Sequence, residues 1–345
     1  VNYSTALIGN YSVAWIKKVA PGALGPDRRP FMAYIGPKAC HDPFQPAPWY
    51  ENTWEAGWPA HAPHPPSYNV SETRLTKHHP TISCRPTFGN QTETCINQNF
   101  KDRWRTLLSV DDLIAEVFAV TESIGVANDT YYIYSSDHGY SLGELNLNWD
   151  KRNVYDFDTR IHLLLKGPGI AAGSRFEFLA SNVDLTPTMI SLANIERAPG
   201  MDGKSFLPMI LSESELPNAP QSVQSYAMAH PLAGVTANWR DTHFIEYYYI
   251  GIGGYCGMNE PIEQPDNNFI ALRKVGAGNN ILYAEFQNGT DGNVDFQSPL
   301  HYELFNMDKD PWQMHNIYSE ANSSLKTRLH SEVHRWLACK EDSCP

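Results

Sequence analysis

Apolar positions recur at helical spacing between about Phe100 and Ile124. One face of this segment carries apolar residues that are mostly three or four positions apart: Leu107, Val110, Ile114, Val117 and Phe118. Acidic residues lie off that face, as in a helix that buries one side. The pattern predicts a helix over this range, and a second helix is expected from Asp184 to Asn194.

Three short runs of apolar and β-prone residues predict strands: Phe31–Gly36, Thr130–Ser136 and Ile161–Leu165. Each run stops at a turn signal, either Gly-Pro or a polar residue followed by glycine. Residues 37–99 are rich in Pro, His, Trp and Asn and show no sustained period, which is typical of long functional loops. Strands that alternate with helices predict an α/β domain.

The pattern changes in the last third of the chain. A polar, linker-like stretch runs from about Leu211 to Gln221. It is followed by strand-like segments between Gly and Asn turns and by a final helix: Thr242–Ile250, Asn268–Lys274, Asn280–Phe286 and, for the helix, about Ser323–Leu337. We therefore predict an α/β core over residues 1–215 and a smaller antiparallel β-plus-helix subdomain over 216–345.

Composition and charge narrow the class of protein. The 345 residues are 42% hydrophobic and 19% charged, which predicts a packed globular core. A formal net charge of −12 argues against a nucleic-acid partner, because phosphate backbones attract basic surfaces. A site for an anionic ligand must therefore be a local cationic pocket. No apolar stretch reaches the roughly 18–20 residues that span a bilayer.

Several features point to a secreted or lysosomal glycoprotein. Seven Asn-x-Ser/Thr acceptors are present: Asn2, Asn10, Asn69, Asn90, Asn128, Asn288 and Asn322. Two cysteine pairs have the spacing of local disulfides, Cys339 with Cys344 and Cys84 with Cys95. Cys40 and Cys256 have no evident mate and are left open.

Candidate chemistry lies where predicted strands end. Asp137 and His138 lie side by side after the Thr130–Ser136 run, and α/β proteins bind ligands at such strand ends. A carboxylate and an imidazole can hold a divalent metal, although the pair alone is explained more simply by a solvated turn. His41 follows the first predicted strand, and Lys151 lies in a charged run. Each taken alone is an ordinary loop residue.

The order of these motifs is more specific than any one of them. They are Arg103–Leu113, Ser136–Tyr140, Asp150–Arg152, Tyr155–Asp158, Leu164–Gly169, Met201–Pro208 and the terminal cysteine pair. Together they resemble the sulfatase family of the alkaline-phosphatase-like superfamily, and within it the N-acetylglucosamine-6-sulfatases. The resemblance is near-continuous from about Ala33 to Leu211 and thinner beyond. It implies an alkaline-phosphatase-like α/β fold.

The resemblance also implies roles for individual residues. Asp137 matches a calcium ligand, whereas His138 stands where the N-acetylglucosamine-6-sulfatases usually carry Asn. His41 matches the histidine that contacts the sulfate ester, and Lys151 matches the lysine that binds a sulfate oxygen. His162 stands where the family often has Pro. The expected cofactor is Ca²⁺, held by Asp137 and His138, and the expected catalytic residues are His41 and Lys151.

Sulfatases use a formylglycine nucleophile made from Cys or Ser in a Cys/Ser-x-Pro-x-Arg motif near the N-terminus. The 345 residues contain no such motif and no match to the early metal-binding aspartate pair of the family. We therefore expect this chain to be the C-terminal portion of a longer sulfatase, with an incomplete core and no activity alone. The N-terminal half of the same protein, as a separate chain, is one expected partner.

The function expected of the parent protein is removal of 6-O-sulfate from N-acetylglucosamine units of glycosaminoglycans of the heparan or keratan sulfate type. One alternative is a secreted glycan-binding pseudo-enzyme. The other is a phosphodiesterase or phosphoethanolamine transferase of the same superfamily. Those enzymes use Thr or Ser as nucleophile and usually two zinc ions, for which no matching His/Asp set is evident.

Overall fold

The computed structural model describes residues 2–27, 29–54, 61–251, 263–289, 293–294 and 296–344. Its α-helices are α1 Ser4–Val19, α2 Pro80–Ser83, α3 Asn90–Ile124, α4 Asp156–Thr159, α5 Leu185–Leu192, α6 Leu207–Ile210, α7 Gln221–Ala229, α8 Leu232–Ala237 and α9 Ser323–Ala338. Its strands are β1 Tyr132–Ser135, β2 Leu163–Lys166, β3 Thr242–Tyr247, β4 Asn268–Lys274, β5 Ile281–Gln287 and β6 His301–Asn306.

The helix α3 confirms the predicted helix but begins at Asn90, before the expected start at Phe100. Its first turns are polar, so the hydrophobic period is visible only in its later part. The helix ends at Gly125, whose φ of 85° is left-handed. The Gly125 N–H donates to the carbonyls of Thr121 and Glu122 at 3.1 and 3.0 Å, a common way to end a helix.

The helix α1 was not predicted from the sequence. It packs against α3 through a buried cluster that includes Ile16, Ala20, Val120 and Val126. The sequence of α1 intersperses Tyr, Ser, Asn and Gly among its apolar residues, which weakens the periodic signal. Its helical state therefore depends on tertiary packing more than on propensity.

The strands β1 and β2 confirm two of the predicted strands and pair antiparallel, with Tyr132 opposite Lys166. The third predicted strand, Phe31–Gly36, is wrong. It belongs to no sheet, and Tyr34 and Met32 are 87% and 62% exposed. A buried strand needs a neighbour for its backbone N–H and C=O groups, and the described residues provide none beside it.

The strands β3, β4, β5 and β6 form an antiparallel meander in chain order. This sheet confirms the three predicted strand segments and adds β6, which was missed. The register aligns Ala271 on β4 with Ala284 on β5, and Ala284 with Glu303 on β6. The helix α9 confirms the predicted final helix within one residue.

The meander is buried on both faces. One face packs under α9, with Leu329 and Val333 against Tyr283 and Leu304. The opposite face packs on loops of the first half of the chain, through these buried residues: Val70, Leu75, Ile82, Leu145, Leu147, Val154 and Tyr155. The sheet therefore forms a layer between the final helix and the loops that carry the predicted site.

A buried carboxylate joins the sheet to those loops. Glu303 on β6 is fully buried and accepts hydrogen bonds from the His79 backbone N–H at 2.6 Å and from the Tyr155 hydroxyl at 3.1 and 3.2 Å. Burial alone would raise the pKa of Glu303, but the His301 and His78 imidazoles and the His79 amide outweigh it and lower that pKa. The carboxylate is thus kept charged inside the core.

The cysteines follow the sequence-based expectation only in part. The Cys339–Cys344 disulfide is confirmed, with a Cα–Cα distance of 4.9 Å. The expected pairing of Cys84 with Cys95 is wrong, because Cys84 is an exposed free thiol whereas Cys95 is disulfide-bonded. The expectation assumed a loop between them, but Cys95 lies inside α3. Cys40 is free, and Cys256 lies outside the described residues.

The stretch from Leu211 to Gln221 is packed rather than extended. Leu211, Leu216 and Ala219 join a cluster around the buried side chains of Phe206 and Val223. The boundary between residues 215 and 216 stays a prediction. Within the described residues, no helix is long and apolar enough to cross a membrane.

The buried His79 makes stability depend on pH. Desolvation lowers the pKa of His79 to about 4, against about 6.5 for an unperturbed histidine. Between these values the unfolded chain binds more protons than the folded one, so stability rises with pH and is lost on acidification. We expect His79→Gln to reduce the slope of unfolding free energy between pH 4 and 6.5 by about 1 kcal/mol per pH unit.

Urea unfolding across that pH range measures the slope. The exposed His315 gives the matched control, because His315→Gln should leave the slope as in the wild type. Equal slopes for the wild type and His79→Gln would contradict the assignment.

Candidate active site

The strand β1 leads into a tight turn that requires glycine. The Gly139 N–H donates to the Asp158 carbonyl at 2.8 Å, and the Tyr140 N–H donates to the Phe157 carbonyl at 2.9 Å. A Cβ atom on Gly139 would lie 2.0 Å from the Phe157 oxygen, so no other residue allows this backbone approach. The turn is thereby fixed against α4.

Asp137 and His138 are presented at the surface by this turn. The Asp137 side chain is 81% exposed. Its Oδ1 accepts from the His138 backbone N–H at 3.1 Å and from the Ser136 hydroxyl at 3.2 Å, while Oδ2 lies 3.2 Å from His138 Nε2. The Asn182 amide donates to the carbonyls of Ser136 and Asp137 at 3.2 and 3.3 Å. The carboxylate is oriented but open to solvent.

His41 lies in the loop that follows Phe31–Gly36, and its side chain is 54% exposed. Its Nδ1 contacts the Asp42 carboxylate and lies 3.1 Å from the Asp42 carbonyl oxygen. Among the described residues, no hydrogen bond or ion pair joins His41 directly to Asp137 or Lys151. The imidazole is therefore accessible and has an acidic neighbour.

Arg103 on α3 connects the His41 loop to the turn. Its guanidinium lies 3.9 Å from the Tyr140 ring centroid and 5.5 Å from that of Phe44, and the two rings meet edge to face at 6.1 Å. Its Nη1 also donates to the Cys40 carbonyl at 3.4 Å. A cation over aromatic faces is attracted by their quadrupoles, so Arg103 holds the loop and the turn together.

Lys151 lies near the same tyrosine, with Nζ 5.9 Å from the Tyr140 ring centroid. Its side chain is 20% exposed, and Nζ lies 3.3 Å from the buried Asp150 carboxylate. The other Asp150 oxygen accepts from Arg152 Nε at 2.6 Å. The His41 loop, the turn and Lys151 thus meet around Tyr140.

The neighbouring carboxylate, Asp158, is buried beneath the turn. It accepts from the Ser141 hydroxyl at 2.8 Å and from the Asn153 backbone N–H at 2.9 Å. Burial raises the pKa of Asp158 to about 7, although these donors oppose the shift. Asp158 therefore links the segments on either side of Lys151.

The donor set at Asp137 fits a divalent cation only in part. The exposed carboxylate supplies hard oxygens of the kind Ca²⁺ prefers, and His138 supplies a nitrogen that Ca²⁺ seldom uses. Calcium takes six to eight ligands, so these two residues can form only one side of such a site. Among the described residues, no third His, Cys, Asp or Glu side chain lies close enough to form a ligand set with them.

The structure buries two histidines of the long loop and contains a cluster of metal-ligating side chains that sequence reasoning missed. His78 and His79, which belong to the histidine-rich stretch of residues 37–99, are buried against the C-terminal sheet. Glu285, His330 and His334 bring three metal-ligating atoms within 4.8 Å of one another, on the far face of that sheet. The four-residue spacing of the two histidines on a predicted helix could have indicated a shared face, but nothing in the sequence points to Glu285.

A comparison with protein-family models shows to which family the chain belongs. The sulfatase family model matches residues 2–195, more than half of the chain. The chain belongs to the sulfatase family. The sulfatase match includes the His41 loop, Arg103, the Asp137–His138 turn and Lys151, and it ends before the antiparallel sheet.

Known sulfatases match most or all of the chain. N-acetylglucosamine-6-sulfatase of Bos taurus is 28% identical over all of this chain, which spans 57% of that relative's length. An extracellular sulfatase homologue of Drosophila melanogaster is 29% identical over 84% of this chain and 23% of its own. The fold is also similar to a solved structure, that of a protein in complex with its substrate D-glucosamine-2-N,6-O-disulfate. The TM-score is 0.65 and the sequence identity is 19%, and the match covers 96% of this chain and 69% of the other chain. That structure supports the alkaline-phosphatase-like sulfatase fold.

The Arg103–Tyr140 contact is testable without knowing the substrate. We expect a double-mutant cycle of Arg103→Met and Tyr140→Leu to give a coupling free energy of about 1 kcal/mol, because both single changes remove the same cation–ring contact. Equilibrium denaturation of the four proteins measures it. A control cycle that pairs Arg103→Met with Tyr11→Leu, at a 74% exposed tyrosine, should stay within about 0.5 kcal/mol. A coupling no larger than the control would remove Arg103 as the link.

Proposed function

We propose that the protein to which this chain belongs hydrolyses sulfate esters and that His41, Lys151 and Asp137 are part of its active site. The observation that carries the proposal is the meeting of the His41 loop, the Asp137–His138 turn and Lys151 around Tyr140, in a chain of the sulfatase family. Sulfate transfer needs charge stabilisation on the sulfuryl oxygens and protonation of the departing alcohol.

Lys151 is the proposed cationic group for a sulfate oxygen. Its ammonium is largely removed from solvent and is balanced by the buried Asp150, which Arg152 also neutralises in part. A fixed charge in a site of low polarity stabilises developing negative charge more strongly than one in water. Tyr140 lies beside Lys151, with its ring centroid 5.9 Å from Nζ.

His41 is the proposed contact to the ester oxygen. Its imidazole is accessible and contacts the Asp42 carboxylate, and in its protonated form such a ring can donate to a leaving sugar hydroxyl. This role requires the His41 loop to stay near the turn, which is what Arg103 supports.

We propose that a divalent cation, Ca²⁺ by resemblance, is bound with Asp137 as one ligand and His138 beside it. Such an ion supplies Lewis-acid stabilisation of a sulfate oxygen. The exposed Asp137 carboxylate, oriented by Ser136 and by the His138 amide, supports this assignment. The Asn182 amide donates to the backbone of the turn, and this contact helps to orient the Asp137 carboxylate.

The proposed substrate is a 6-O-sulfated N-acetylglucosamine unit of a glycosaminoglycan, supported by the whole-length similarity to an N-acetylglucosamine-6-sulfatase. The proposed setting is secreted or lysosomal. Six of the seven sequon asparagines are exposed, as glycosylation requires. The exception is Asn69, whose side-chain amide both donates to and accepts from the Phe88 backbone at 3.0 and 2.9 Å.

Substitutions in the complete protein test the roles. We expect Lys151→Ala to lower kcat on a 6-sulfated N-acetylglucosamine substrate by roughly 10²-fold or more, because the positive charge that stabilises the sulfuryl oxygens is lost. His41→Ala is expected to lower kcat by roughly 10²- to 10⁴-fold. Lys77→Ala, at an exposed lysine paired with Glu320, is the matched control and should leave kcat unchanged.

Activity measurements also separate the alternatives. Hydrolysis of a phosphate diester in place of the sulfate ester would favour the phosphodiesterase hypothesis. Saturable binding of the sulfated glycan by the complete protein, with no turnover, would favour the glycan-binding pseudo-enzyme. Wild-type kcat in both Lys151→Ala and His41→Ala would remove the proposed site.

The chain by itself is expected to be inactive, because its sequence has no Cys/Ser-x-Pro-x-Arg motif from which a formylglycine could form. Sulfate release by the purified 345-residue chain should equal the background rate. Intact mass spectrometry and N-terminal sequencing of native material identify any second polypeptide that carries the formylglycine. Robust turnover by the isolated chain would contradict the proposal that its nucleophile lies elsewhere.

A further inference from the structure

A second cluster of ligating side chains lies on the opposite face of the C-terminal sheet from the proposed sulfatase site. Glu285 projects from β5 towards α9, where His330 and His334 lie one turn apart. His330 Nδ1 is 2.9 Å from one Glu285 oxygen, and His334 Nε2 is 3.0 Å from the other. None of the three contacts the Asp137 turn, Lys151 or His41 in the described residues.

Glu285 is a fully buried carboxylate. A buried charge is strongly unfavourable unless a cation or several donors compensate for it. Besides the two imidazoles, its described partner is the Tyr283 hydroxyl, which donates to Oε1 at 2.6 Å. The site therefore provides one negative charge, two nitrogen donors and an outer hydroxyl that orients the carboxylate.

We propose that Glu285, His330 and His334 bind a divalent transition-metal ion, with Zn²⁺ as the best match. Two imidazoles and one carboxylate are a set that zinc uses, with a water in the fourth position. Nitrogen donors favour zinc over Ca²⁺ or Mg²⁺. This site is separate from the proposed calcium site and does not depend on the proposed sulfatase activity.

The geometry needs only a small adjustment to close on an ion. The three ligand atoms lie within 4.8 Å of one another, whereas a tetrahedral zinc site separates its ligand atoms by about 3.4 Å. The two histidine rings are 4.3 Å apart between centroids. His330 is 46% exposed, so its ring has room to rotate and the ion has an entry path.

Such an ion would fasten α9 to the sheet. Glu285 belongs to a central strand of the meander, and both histidines follow directly after the core residues Leu329 and Val333 of the helix. A ligand that binds only the folded state stabilises it in proportion to its occupancy. We therefore expect saturating Zn²⁺ to raise the urea midpoint of the folded chain.

Calorimetric titration of the metal-free chain with Zn²⁺ tests the site, and Co²⁺ serves as a spectroscopic probe of four- or five-coordinate nitrogen and oxygen ligation. We expect saturable binding of one Zn²⁺ per chain. His330→Ala, His334→Ala and Glu285→Gln should each weaken binding by roughly tenfold or more and abolish the visible Co²⁺ bands. His330→Ala is the decisive variant, because its exposed position makes loss of folding the least expected.

Two controls separate this site from other metal-binding groups. His315→Ala removes an exposed histidine from the same half of the chain and should bind Zn²⁺ as the wild type does. Asp137→Asn alters the proposed calcium site and should also leave Zn²⁺ binding unchanged. Absence of saturable binding, or equal affinity in the wild type and His330→Ala, would overturn the proposal whatever the sulfatase assays show.

Discussion

The buried carboxylate of Glu303 is the contact on which the arrangement of this chain depends. It lies on β6 but is satisfied by the backbone of His79 and the hydroxyl of Tyr155, which are more than 140 residues away in sequence. Leaving such a charge unpaired in the core would cost far more than any surface contact supplies. This requirement favours the observed docking, with the inner face of the sheet on the loops of the first half.

That docking reaches the proposed active site through the segment after Lys151. Arg152 donates to the Tyr247 hydroxyl at 3.0 Å, and the Asn267 amide donates to the Arg152 carbonyl at 2.9 Å. Arg273 on β4 binds Asp156 with two hydrogen bonds of 2.9 and 3.3 Å. The C-terminal sheet and the residue before β4 thus fix the segment that follows Lys151. The sheet has a structural role in the site although it supplies none of the proposed catalytic residues.

Sequence reasoning succeeded where local pattern and local structure agree. The later turns of α3, the strands β4 and β5 and the helix α9 each have a clear period, and their bounds were close to those expected. It failed where long-range packing decides. Phe31–Gly36 has the composition of a buried strand but lacks a neighbour, and Cys95 lies inside α3 and not in the loop that its spacing with Cys84 suggested.

The candidate site shows the same division. Asp137 and the glycine turn could be predicted from one short segment, because a strand end and a turn are local features. The role of Arg103 could not be predicted, because it comes from contacts with Phe44 and Tyr140. These residues lie 59 and 37 positions away in the sequence and are brought to Arg103 only by the fold. The family resemblance supplied roles for His41 and Lys151, but it implied nothing about Tyr140, the ring around which the His41 loop and Lys151 meet.

The two faces of the meander explain why one sheet can carry two unrelated carboxylates. Side chains alternate along a strand, so Glu303 on β6 and Glu285 on β5 point to opposite faces. Glu303 faces loops and is stabilised by backbone and hydroxyl donors and by the nearby His301 and His78 imidazoles. Glu285 faces α9 and meets imidazoles that also have affinity for a metal ion. Both carboxylates are buried for structural reasons, but Glu285 has imidazole nitrogens at 2.9 and 3.0 Å, one of them on the half-exposed His330, and that difference makes it the candidate for binding a cation.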